Sequence, residues 1–75
     1  MTTKQVISKL CDCCDDIMRI LHFMQVEAME LEESQDVKNK TTPRIAFSNL
    51  CKIEEHITIE KMRFKKMDEE ENAED

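Results

Sequence analysis

Apolar residues recur at alternating spacings of three and four along the first half of the chain: Ile7, Leu10, Cys14, Ile17, Leu21, Met24, Ala28 and Leu31. A seven-residue repeat held for more than three heptads means one continuous helical face. At 1.5 Å per residue, a helix of about 30 residues is about 45 Å long. Thr2 and Gln5 have the spacing of a capping box, which starts the helix at about residue 3.

The strip is wider than one seam. Val6, Cys13 and Ile20 flank it on one side, and Cys11 and Met18 on the other. A strip of that width can touch more than one neighbouring helix, as in a bundle of three or four.

The repeat fades after Leu31, and a polar extension is expected to carry the helix to about residue 36, with Asn39 as a C-cap. Thr42 and Pro43 then suit the N-cap and first position of a second helix over about 43–68. In that helix Ala46, Leu50, Ile53, Ile57, Phe64 and Met67 keep the same spacing, with Glu60 as the interruption. Glu60 has two readings: a carboxylate that snorkels to solvent, or a polar device that sets register. A loop over about 37–42 is short, so the helices should lie antiparallel.

The chain has no Gly and a single Pro among 75 residues, which leaves little turn chemistry for a strand-rich fold. The expected fold is therefore all-α: an antiparallel two-helix hairpin over 1–67. Two helices touching along one seam bury little apolar surface for the entropy lost on ordering them. Assembly into a dimeric four-helix bundle or a larger helical oligomer is expected to supply the remainder.

The net charge of −6 is local. The segment 68–75 holds six acids and no base, leaving eleven acids and eleven bases elsewhere. That tail is expected to be disordered. A neutral body without basic and aromatic interleaving gives little support to direct nucleic-acid binding, which is not expected. No apolar run is long enough for a signal peptide or membrane span, so a cytoplasmic, reducing location is expected.

Cys11 and Cys14 have the spacing of half a zinc site. Cys51 should lie about ten residues away along a hairpin, and His22 and His56 fall outside the seam. The cysteines are therefore read as small core residues, with no metal and no cofactor expected. Nothing assembles a nucleophile–base set, and an absence of Gly excludes Gly-rich phosphate loops. The chain is expected not to be an enzyme.

What remains is an interaction module: a small adaptor, chaperone or inhibitor that binds first its own copies and then another protein. Ile7, Leu10, Cys14, Ile17, Leu21, Leu50, Ile53 and Ile57 are the expected self-association residues. Phe23, Val26, Ile59 and Met62, which leave the main seam, are the expected partner-binding residues. Two alternatives are an acidic decoy for a nucleic-acid-binding protein, using the tail with Asp12, Asp15 and Asp16, and a metal-dependent small regulator.

Overall fold

The computed structural model describes residues 1–74, with side chains through Glu70. Two helices, α1 (Thr3–Glu33) and α2 (Thr41–Glu74), pack against each other as an all-helical hairpin, with no strand among the described residues. The molecule measures 58 × 17 × 12 Å. That is a rod one helix layer thick, whereas a stable core usually lies between two layers.

The capping box is formed as the sequence predicts. The Thr2 hydroxyl accepts from the Gln5 amide at 3.2 Å, and the Gln5 side chain accepts from the Thr2 amide at 2.8 Å. The other ends shift from their expected places. α1 stops before Ser34 rather than near residue 36. Ser34 is extended, its amide donates to the Glu30 and Leu31 carbonyls, and its hydroxyl accepts from the Asp36 amide at 3.3 Å. This local bond offers the backbone an alternative to another helical turn.

Asn39 does not close α1. Its side-chain oxygen accepts from the amides of Thr41 and Thr42 at 3.0 and 3.3 Å, so it caps α2 instead. α2 consequently begins two residues before the expected start, and Pro43 falls within its first turn, where a missing amide proton costs no hydrogen bond. The far end of α2 runs through Glu74 rather than ending near residue 68. The segment read as a disordered tail is thus helical over 68–74, and Asp75 lies outside the described residues.

The seam between α1 and α2 combines the expected central column with an unexpected flank. Ile7, Cys14, Leu21 and Ala28 of α1 are buried, as is Leu50 of α2. Leu21, Ala28 and Leu50 form the core cluster, with Met18, Phe47 and Ile57 packed against it. The residues that complete the seam lie one position after the expected ones. Cys11, Met18, Gln25 and Glu32 are buried or half-buried, whereas Leu10, Ile17, Met24 and Leu31 are exposed. On α2, Phe47, Glu54, Lys61 and Asp68 are half-buried, whereas Ala46, Ile53 and Met67 are exposed. Each heptad column has two neighbours, at +3 and at +4, and the hairpin closes over the +4 set on both helices.

Three polar pairs accompany that choice. Gln25 of α1 donates to Glu54 of α2, Lys61 of α2 to Asp15 of α1, and Arg44 of α2 to Glu32 of α1. All three bridges lie on one side of the central column. They mark the register, in which Met24 lies near the level of Ile53 and Leu31 near that of Ala46.

Candidate functional site

The other side of the hairpin carries the apolar +3 columns with nothing above them. From α1 it presents Leu10, Ile17, Met24 and Leu31, which are 39–47% exposed. From α2 it presents Ala46, Ile53, Glu60 and Met67 at the facing levels, and Ile53 and Met67 are about half exposed. The two helices bring these columns onto one surface, because Met24, Leu31 and Ala46 line the same shallow hollow above Ala28 and Leu50. A second hollow joins Leu31 and Ala46 to Val37 and Pro43 at the loop end. Glu60 is the lone charge in the eight positions, and Arg63 of the same helix bonds to it at 2.6 Å.

The face is bordered unequally. Along α1 the next column outward is Val6, Cys13, Ile20 and Glu27, of which Val6 and Ile20 are 42% and 60% exposed. Along α2 the corresponding column is Asn49, His56 and Arg63. The α1 edge is apolar from Val6 to Ile20 and ends in Glu27 toward the loop, whereas the α2 edge is polar throughout.

No described side chain of the chain is fully buried. A folded domain ordinarily excludes water completely from several large apolar side chains. The described residues therefore enclose no fully dry core of their own.

The residues read as self-associating divide between two surfaces. Ile7, Cys14, Leu21 and Leu50 lie inside the hairpin and Ile57 packs against its core, while Leu10, Ile17 and Ile53 lie on the open face. Met24, Leu31, Ala46 and Met67 complete that face. Their heptad spacing is visible in the sequence, but it does not distinguish a column facing the second helix from one facing away.

Phe23, Val26, Ile59 and Met62 are all exposed. Phe23 borders the open-face hollow beside Met24. Ile59 and Met62 share a different hollow, on α2, with Arg63, Lys65 and Lys66. The structure thus brings Ile59 and Met62 together and places Phe23 in a different neighbourhood.

All four cysteines are free. Burial pushes the Cys14 thiol above its ordinary pKa, aided by the neighbouring Cys11, Asp15 and Cys13 and opposed by Lys61. The Lys61 ammonium is raised by its bond to Asp15, and that bond lowers Asp15 in turn. A cation beside Cys11 and Cys14 works against a second positive charge there. Cys51 lies elsewhere, bordering a hollow with Glu54, Glu55, Thr58 and Ile59. Among the described residues no three His, Cys, Asp or Glu side chains gather as a metal site.

Of the acids read as a decoy stripe, Asp15 is paired with Lys61 and Asp16 with Arg19. No helix among the described residues is long and apolar enough to cross a membrane. Comparison with family models, curated proteins and solved structures returned no match.

Proposed function

We propose that this chain is a non-enzymatic interaction module that works by helix packing, as a small adaptor, chaperone or inhibitor, and that its first partner is a second copy of itself. The observation that carries this reading is the open face along Leu10, Ile17, Met24 and Leu31, which is left uncovered while the opposite side is bridged by polar pairs. Two such faces, brought together, make the four-helix bundle that a one-layer hairpin lacks.

The electrostatics of the face are compatible with pairing of identical surfaces. Seven of its eight positions are apolar, and the one carboxylate is already bonded to Arg63. Like charges opposed across an interface would cost several kcal/mol, and this face offers almost none. Sedimentation velocity on the purified chain tests the proposal. A dimer or larger oligomer at micromolar concentration is expected, and a folded monomer would remove the reading.

A further inference from the structure

The two edges of the open face specify how the copies meet. Resting on the self-association reading above, we infer that the two hairpins pack with α1 against the α1 of the second copy, antiparallel, and α2 against the second α2, with Ile20 near the two-fold axis.

A hairpin dimer that buries this face has two symmetric solutions. In one, each α1 covers the α2 of the other copy. In the other, like helix covers like helix and runs antiparallel to it. In the first, the apolar edge of α1, with Val6, Cys13 and Ile20, would lie along the polar edge of α2, with Asn49, His56 and Arg63. Ile20, 60% exposed in the hairpin, would then remain beside polar side chains. In the second, the two α1 edges meet and Ile20 leaves water at their centre, with Glu27 opposite Cys13 of the second copy toward the solvent-exposed ends, while the two polar edges meet on the opposite side and stay hydrated.

Glu60 favours the same solution. Covered by α1 of another copy, its carboxylate would sit under Ile17 and Ile20, and its Arg63 partner would be drawn into an apolar seam. Between two α2 helices it keeps Arg63 and gains the polar edge of the second copy. The open columns run from Leu10 to Leu31 and from Ala46 to Met67, so the axis falls midway along each. Ile17 then lies opposite Met24 of the second copy, and Ile20 opposite Ile20.

The test is an isotope-filtered NOE experiment on native protein, mixing carbon-13-labelled and unlabelled chains, with sedimentation run on the same sample. Intermolecular cross-peaks from the Ile20 and Ile17 methyls to Met24 and Ile20 of the other copy are expected. A sample that sediments as a dimer but shows those methyls against Ile53 or Met67 of the other copy overturns the arrangement and leaves self-association standing. A dimer with no intermolecular contact at Ile20 overturns it equally. A monomer removes both.

Discussion

The Gln25 side-chain amide donates to the Glu54 carboxylate at 2.5 Å across the seam between α1 and α2, on the side opposite Met24 and Ile53. Gln25 is 8% exposed, the one polar residue among the buried ones described. Its bond is one of three that cross the seam on the side that the open face does not use. Removing one partner strands the other. Glu54→Ala should therefore lower stability by about 1–3 kcal/mol, the cost of a buried polar group left without a partner. Gln25→Leu combined with Glu54→Leu should recover most of that loss, since replacing both partners by apolar groups is nearly neutral. Urea unfolding of the three variants, followed by helical circular dichroism, checks both outcomes.

The Asp15–Lys61 pair makes the hairpin's stability depend on pH in a defined direction. The bond to Lys61 lowers Asp15 below its ordinary pKa, so its contribution is present above the unfolded carboxylate value and is lost as pH falls through the folded one. The same bond raises Lys61, so its contribution is present below the ordinary ammonium value and is lost as pH rises through the folded one. The pair is partly exposed, with side chains 51% and 30% accessible, and its effect should be small and weakened by salt. Melting temperature measured against pH should show native protein above Asp15→Asn at neutral pH. The two curves should converge in acid.

Position 17 separates the open face from the outer surface. Ile17→Glu places a charge in the middle of the apolar columns and should weaken self-association at least about tenfold, or about 1.4 kcal/mol. Ile45→Glu serves as the control. Ile45 is 56% exposed and belongs to neither the seam nor the open columns, so its replacement should leave the oligomer intact. Sedimentation equilibrium at matched concentrations distinguishes the two.

Cysteine alkylation should report burial in the hairpin and in the dimer separately. Cys14 is buried within the hairpin, and its thiol is raised chiefly by that burial. It should react slowly whether or not the protein is dissociated. Cys13 is exposed in the hairpin but stands on the apolar edge of α1. It should react slowly in native protein and quickly in Ile17→Glu. Peptide mapping after timed iodoacetamide treatment reads each site. Because Cys14 favours its neutral form when folded, the hairpin should also lose stability as pH rises beyond the ordinary thiol value.

The period of seven was legible from the residues alone because a helix repeats its faces every 3.6 residues, and any apolar set near that period marks a face. Two helices, their antiparallel path, the Thr2 cap and the central column of Ile7, Cys14, Leu21, Ala28 and Leu50 all follow from spacing and capping chemistry. Such features depend on residues near one another in the chain. The role of Asn39 was less accessible, since an Asn in a loop can serve the helix before it or the one after it. Only the backbone path shows which amides its oxygen meets.

The choice of flank belonged to the tertiary structure. Leu10 and Cys11, Ile17 and Met18, Met24 and Gln25 stand on either side of the same column, and hydrophobicity favours the first of each pair for the seam. The hairpin instead closes over the second. Gln25, Asp15 and Glu32 find partners in Glu54, Lys61 and Arg44 only after the helices are brought side by side. Bonds between residues far apart in sequence have no local signature. They satisfy the polar members of the mixed column inside the hairpin, while the purely apolar column of α1 faces outward.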